Sequence, residues 1–249
     1  MIVMVTGASS GIGAAVARRF AKGGHRLILT ARRQERLEAL KKEIGNQTSL
    51  FPLDLRSWKG VEEMAKKIEK DNGPIDVLIN NAGLGFGLEP AHLANLDEWE
   101  TCIDVNIKAL LYCTRAILPS MVERNQGHII NLGSVAGTYP YPGGNVYGAT
   151  KAFVHQFSLN LRADLLGKNV RVSCIEPGLV SGTEFSEVRF RGDLKKARAV
   201  YEKTQALQPE DIAETIYFCA TLPSHVNVNI LELMPVLQAS APLAVYRES

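Results

Sequence analysis

Apolar residues fall in short runs along this chain, and between the runs lie longer stretches in which apolar positions recur at helical spacing. The runs Ile2 to Thr6, Arg26 to Thr30, Thr48 to Leu53, Val77 to Asn80, His128 to Leu132, Arg171 to Ile175 and Ile230 to Leu233 have the length and composition of buried strands. Strand and helix patterns in strict alternation predict an α/β, doubly wound Rossmann fold: a seven-stranded parallel sheet with helices on both faces. No repeat, low-complexity tract or linker interrupts the pattern, so residues 1–249 read as one dinucleotide-binding catalytic domain. The least regular stretch, about 178–208, follows the sixth strand, where long excursions cover sites; it is expected to cover the substrate.

Composition narrows the class without choosing within it. A 46% hydrophobic and 22% charged chain with a formal charge of +2 is ordinary for a globular protein and gives no electrostatic case for nucleic acid. No apolar stretch approaches the roughly 20 residues of a membrane span, and Met1 to Val5 leads straight into a glycine loop, reading as a first strand and not an export signal. Cys102, Cys113, Cys174 and Cys219 have no zinc-type spacing and apolar neighbours, so reduced thiols and a cytoplasmic location are expected. The five histidines show no ligand spacing, and no catalytic metal is expected.

Candidate chemistry is concentrated in two places. After the first strand comes Thr6-Gly7-Ala8-Ser9-Ser10-Gly11-Ile12-Gly13, whose glycines allow backbone amides and a helix N-terminus to face a pyrophosphate. The spacing is Gly-x-x-x-Gly-x-Gly, and a glycine turn alone would also serve merely as a tight turn. The second place is Tyr147 and Lys151, four residues apart on a predicted helix and hence on one face, thirteen residues after Ser134. A phenol titrates near pH ~10, so a tyrosine exchanging a proton near neutrality needs a cation close by, which Lys151 can supply. The Ser134 hydroxyl, at the end of the fifth strand, can donate to a developing alkoxide. Tyr-x-x-x-Lys arises easily by chance; the pair gains meaning from the glycine loop, Asn80-Asn81-Ala82-Gly83, Asn106 and Pro177-Gly178 in sequence order. Together they point to hydride transfer at a carbonyl or alcohol carbon. At the end of the second strand, where an acid would hold the ribose of NAD, stand Arg32 and Arg33, suited to a phosphate. That favours NADP, with Arg32 as the stronger contact and Ser9 as a second; the bland alternative is a solvated helix start.

Over essentially its whole length the chain resembles the short-chain dehydrogenase/reductase family. Within it the likeness is greatest to the bacterial NADP-dependent 3-hydroxy acid dehydrogenases, also described as serine or allo-threonine dehydrogenases. The stretches carrying it are Arg32 to Leu37, Gly143 to Phe153 and Glu176 to Phe185. The resemblance implies Tyr147 as acid/base, Lys151 also holding the nicotinamide ribose hydroxyls, and Asn106 supporting a water linked to that lysine. It also implies Asp54 on the adenine amino group with Leu55 beside it, Asn81, Ala82 and Gly83 beneath the nicotinamide ribose, and Pro177, Gly178 and Val180 in the cofactor groove. Family members commonly pair two helices between subunits, which here implies a homotetramer, a dimer being the alternative.

A hydroxy acid substrate needs a cation, and Arg189 and Arg191 lie in the covering segment, although with Lys195, Lys196 and Arg198 they could equally form a solvated helix face. Arg189 is the expected carboxylate contact, with Asn145 and Tyr139 or Tyr141 as further candidates. His155, one turn beyond Lys151, is expected to pack or to contact another subunit. The expected substrates are 3-hydroxy acids of the serine, allo-threonine or 3-hydroxypropionate type and their 3-oxo acids or semialdehydes. Unrelated small ketones or aldehydes are the alternative within the same mechanism, and a non-enzymatic NADP(H) sensor the alternative outside it.

Overall fold

Seven parallel strands hydrogen-bond into one sheet: β1 (Ile2–Thr6), β2 (Arg26–Ala31), β3 (Thr48–Pro52), β4 (Val77–Asn80), β5 (Gly127–Leu132), β6 (Val170–Pro177) and β7 (Ile230–Leu233). The computed structural model describes residues 1–45 and 47–240. Strand order is β3-β2-β1-β4-β5-β6-β7, so the winding reverses between β1 and β4, where a crevice opens at the carboxyl ends. The expected strands all appear. The main difference is β6, which continues past Ile175 because Glu176 and Pro177 still pair with Glu232 and Leu233 of β7.

Side chains alternate across the strands, and each face has its own core. Val3, Val5, Leu27, Leu29, Val77, Ile79 and Ile130 meet α1 (Gly11–Lys22), α2 (Gln34–Ile44) and α9 (Pro209–Thr221) on one side. Met4, Ile28, Leu78, Ile129 and Val172 meet α3 (Trp58–Asn72), α5 (Ala109–Glu123) and α6 (Asn145–Asp164) on the other. Between α4 (Leu96–Ile103) and α5 the backbone widens into a π-helical turn, Asp104–Lys108. Residues 178–208 leave the sheet after β6, form the short helices α7 (Phe185–Arg189) and α8 (Leu194–Ala199), and return through a bridge from Val180 to Leu207. Among the described residues no helix is long and apolar enough to cross a membrane.

Beneath the crevice the apolar layer gives way to buried polar groups linked by hydrogen bonds, with Asn80 Oδ1 left without a partner among the described residues. Asn80 donates to Asn131 Oδ1 (2.9 Å) and Thr114 Oγ1 (3.0 Å), and Asn131 donates to Ser158 of α6 (2.9 Å). Buried amides left unpaired would each cost about 1 to 3 kcal/mol, so this network fixes how β4, β5 and α6 sit relative to one another.

Candidate active site

A cavity of about 710 Å³ occupies the crevice. Its inner end is the glycine loop. Gly7 has φ +65°, and a Cβ there would lie 2.9 Å from Ala82 Cα, so a side chain would push two backbone segments apart. Gly13 backs directly onto the Gly7 carbonyl, which lets α1 start flush against the sheet. Ser10, the residue before α1, makes no side-chain cap. The first amides of the helix therefore remain for an anion, the chemistry expected of a pyrophosphate cradle. Gly7, Ser9, Ser10, Gly11 and Ile12 line the cavity, while Gly13 lies behind them. Asn81 stitches the loop to β4, its side chain donating to the Thr6 carbonyl at 2.9 Å and its backbone N–H to Thr6 Oγ1 at 3.0 Å.

Farther along, Arg32, Arg33, Asp54 and Leu55 also line the cavity, but the two arginines are used differently. Arg33 donates to Ser9 Oγ and Ser10 Oγ, each at 3.0 Å, and forms a two-pronged ion pair with Glu184 (2.7 and 3.1 Å). Arg36 adds a third contact to Glu184 at 2.6 Å. These cations hold the Glu184 carboxyl down at about 2, chiefly through the Arg33 hydrogen bond and against desolvation. Arg32 makes no hydrogen bond among the described residues and faces open solvent at the cavity edge, next to Asp54, whose carboxyl is paired with Arg56 at 2.6 Å. Asp54 is thus already engaged by a cation two residues away. Sequence reading missed Glu184, since nothing in its spacing signals a partner 151 positions earlier.

At the other end Ser134, Tyr147 and Lys151 converge. Ser134 follows β5 and Gly133, accepts from Ala136 N–H (3.1 Å) and donates to the Pro177 carbonyl (3.4 Å). Tyr147 and Lys151 share one face of α6. Burial drives the Tyr147 phenol up to about 12, while Arg189 and the Ser134 hydroxyl act in the opposite direction. Burial likewise lowers the Lys151 ammonium to about 8. Lys151 Nζ donates to the Leu132 carbonyl at 2.7 Å and lies 5.9 Å from the Tyr147 ring centre, and the Arg189 guanidinium carbon stands 4.9 Å from the same centre, so a second cation flanks the tyrosine beside the expected one. Lys151 turns to that carbonyl because a buried ammonium must find an acceptor.

Asn106 sits in the π-helical turn, 2% exposed and behind the cavity wall. Its side chain accepts from Leu84 N–H (2.9 Å) and donates to Leu84 C=O (2.8 Å) and Thr150 Oγ1 (3.0 Å). It thereby ties the Asn81-Ala82-Gly83 strand exit to α6. Gly83 packs between Asn106 and Lys151, and Pro177, Gly178 and Val180 border the same space.

The segment after β6 brings Arg189 beside Tyr147 at this end of the cavity. Arg189 donates to Tyr141 OH at 3.0 Å and rests against Phe185 (4.8 Å to the ring centre); its buried Nε has no partner among the described residues. Gly85 makes this approach possible, since a Cβ there would stand 2.8 Å from Tyr147 and 3.2 Å from Arg189. Arg191 is spent elsewhere, bridging Glu98 (2.6 Å) and Glu89 (2.8 Å) on the surface. Asn145, expected at the substrate, is outside the cavity lining: its amide donates to the Glu89 carbonyl at 3.2 Å, and as the first residue of α6 it points outward. Tyr139 lines the cavity but bonds Glu232.

All four cysteines are free and buried. No cluster of three or more potential metal ligands exists among the described residues.

The short chain dehydrogenase family model matches residues 1–193. The NADP-dependent 3-hydroxy acid dehydrogenase YdfG of Salmonella typhi is 60% identical over 247 residues, covering 99% of this chain and 100% of the relative. The sulfoacetaldehyde reductase 2 of Chromohalobacter salexigens is 49% identical over 99% of both chains. A closed form of serine dehydrogenase complexed with NADP+ superposes with a TM-score of 0.98 at 58% identity, over the full length of both. By family match, sequence identity and superposition alike, the chain belongs to the short-chain dehydrogenase family.

Proposed function

We propose that the protein is an NADP-dependent oxidoreductase that interconverts a 3-hydroxy acid, of the serine, allo-threonine or 3-hydroxypropionate type, and its 3-oxo acid or semialdehyde. The observation that carries the acid part is Arg189, a guanidinium with an unpartnered buried Nε beside the Tyr147 ring. A planar fork of donors at that place suits a carboxylate held bidentately while the neighbouring carbinol carbon lies under the phenol. Relatives named for a 3-hydroxy acid and for sulfoacetaldehyde, both small anionic substrates, are consistent with such a cation.

The glycine loop and the uncapped start of α1 suit the pyrophosphate of the cofactor. Arg32, Arg33 and Ser9 suit a 2′-phosphate, with Arg32 the readier donor because Arg33 is engaged by Glu184. Asp54 and Leu55 would border the adenine, Asn81, Ala82 and Gly83 the nicotinamide ribose, and Pro177, Gly178 and Val180 line the same cofactor groove. NADP(H), when bound, supplies or accepts the hydride at the substrate carbon. For oxidation, the Tyr147 phenolate takes the hydroxyl proton, Ser134 donates to the same oxygen as it becomes a carbonyl, and Lys151 holds positive charge below. Reduction returns the proton from Tyr147 to the oxygen. Because the phenol is raised to about 12 before ligands bind, the oxidation rate rises with pH toward the alkaline side.

The test is the initial rate of NADPH appearance at alkaline pH with L-serine, D-serine, L-allo-threonine, 3-hydroxypropionate, 3-hydroxyisobutyrate and simple neutral alcohols, with Tyr147→Phe as control. Turnover confined to the 3-hydroxy acids and abolished in the control supports the proposal. Turnover of neutral alcohols alone would transfer the activity to small ketones and aldehydes, and NADPH binding without turnover would indicate a sensor. A homotetramer in the cytoplasm accompanies this reading, checked by sedimentation of the purified enzyme and by fractionation.

A further inference from the structure

Directly behind the reaction centre lies a carboxylate that none of the chemistry above uses. Glu176, near the end of β6, is 2% exposed, and its Oε1 pairs with His155 Nδ1 at 2.7 Å. A carboxylate so buried is costly unless its position does something for its surroundings. Three neighbours show what that is. His155 lies one turn after Lys151 on the same face of α6, so the helix that carries the lysine also carries the partner of Glu176. Glu176 also packs against Gly133: a Cβ on that glycine would meet Glu176 Cγ at 2.8 Å and Oε1 at 3.2 Å. Gly133 separates Leu132, whose carbonyl receives Lys151 Nζ at 2.7 Å, from Ser134. One buried side chain therefore backs the corner that sets both the lysine's acceptor and the serine's hydroxyl.

We propose that Glu176, held by His155, is a positioning residue for this centre: it braces the Leu132-Gly133-Ser134 corner and supplies the negative charge that Lys151 faces from below. The proposal rests on Tyr147 and Lys151 being the acid/base pair. The other groups around Glu176 do not substitute for it. Cys174, on its own strand, is a buried thiol that donates to Oε1 at 3.4 Å and is pushed up to about 12 by burial, so it is neutral. Glu232, across the β6–β7 register, bonds outward to Tyr139 (3.2 Å). Against the desolvation of Lys151 stand Cys174, Cys102 and Glu176; burial raises both thiols and keeps them neutral, so Glu176 is the one of the three that brings a charge.

The test compares wild type with Glu176→Gln, which keeps volume and an acceptor for His155 while removing the charge; Glu176→Asn serves should the first variant not fold. Cyanate, small enough for the cavity, carbamylates only neutral amines. Mass spectrometry follows modification of Lys151 relative to the exposed Lys59 at pH 7. Removing a charge near an ammonium lowers its pKa by about one unit, here from about 8 towards about 7, so at pH 7 the Lys151 to Lys59 ratio is expected to rise about fivefold, and the loss of kcat that accompanies Lys151 deprotonation to begin at lower pH. An unchanged ratio in a folded variant, with kcat reduced equally at every pH, would overturn the proposal and leave Glu176 a packing residue. The cyanate ratio needs neither substrate nor cofactor. Failure of the acid/base reading, seen as undiminished activity in Tyr147→Phe, would thus be distinguishable from failure here.

Discussion

Replacing Arg189 by Met tests the proposed carboxylate contact most directly. Met approximates the length and apolar stem of arginine, so the packing against Phe185 and Tyr147 is largely kept while the charge is removed. Arg189 gives one hydrogen bond to Tyr141 and has a buried Nε without a partner, leaving donors for two charge-assisted bonds to a substrate acid. At about 1.5 to 3 kcal/mol each, and with part of the loss recovered by water entering the site, the acid should bind more weakly by about 2.5 to 4 kcal/mol. That corresponds to a rise in KM of roughly 10²- to 10³-fold. A second effect runs alongside. Arg189 counters the burial that raises the Tyr147 phenol, so its removal raises the phenol further and lowers oxidation at a fixed pH for every substrate. The discriminating quantity is therefore the ratio of kcat/KM for a 3-hydroxy acid to that for a neutral alcohol, measured in the same buffer. The reasoning expects that ratio to fall by two orders of magnitude or more. If kcat/KM drops equally for acid and alcohol, Arg189 acts on the tyrosine alone and the carboxylate contact is refuted.

Other perturbations give separate checks. Asn106→Ala strands the Leu84 N–H and C=O it now satisfies, so a loss of about 2 to 4 kcal/mol is expected in urea unfolding, with activity falling more steeply than stability. Phe20→Ala, which empties a fully buried site in contact with Tyr217, should cost about 3 to 5 kcal/mol by the same measurement while leaving KM for cofactor within about twofold. For Glu184 the folded carboxyl lies at about 2, below its ordinary value. Its contribution is therefore complete above the ordinary carboxylate range, near pH ~4.5, and is lost as pH falls toward about 2. Hydrogen exchange of residues 183–190 should accelerate across that window in wild type, and Glu184→Gln should already show the faster rate at pH 7.

Much of the fold was legible because parallel strands buried on both faces leave apolar runs too plain to mistake, as in Val77 to Asn80, whose bounds match the observed β4. The glycine loop and the Tyr147–Lys151 face were legible for a related reason: both are local, set by positive φ or by one helical turn. What escaped detection is non-local. Arg33 and Glu184, or His155 and Glu176, meet only after β6 has docked beside β5 and the segment after it has folded back over the crevice. A lone glutamate in either stretch looks like any solvated acid. Asn145 misled for the opposite reason: proximity to Tyr147 along the chain says nothing of direction, and two residues on a helix turn the side chain about 200° away.

The widened turn at Asp104–Lys108 bears on how this enzyme tolerates changes of length. From Leu96 to Glu123 the backbone is one continuous rod, yet its two halves have different duties: Cys102 and Asn106 face the cavity wall, while Cys113, Ile117 and Met121 face the sheet. An ordinary α-helix advances 100° per residue, so the extra residue taken up by the π turn sets the phase between those duties. Deleting any one residue there would restore a regular helix and rotate one half against the other, turning Asn106 from Leu84 or moving the sheet-facing stripe off its strands. Substitutions on this rod subtract single contacts; a change of one residue in its length would dissociate the cavity wall from the core that supports it.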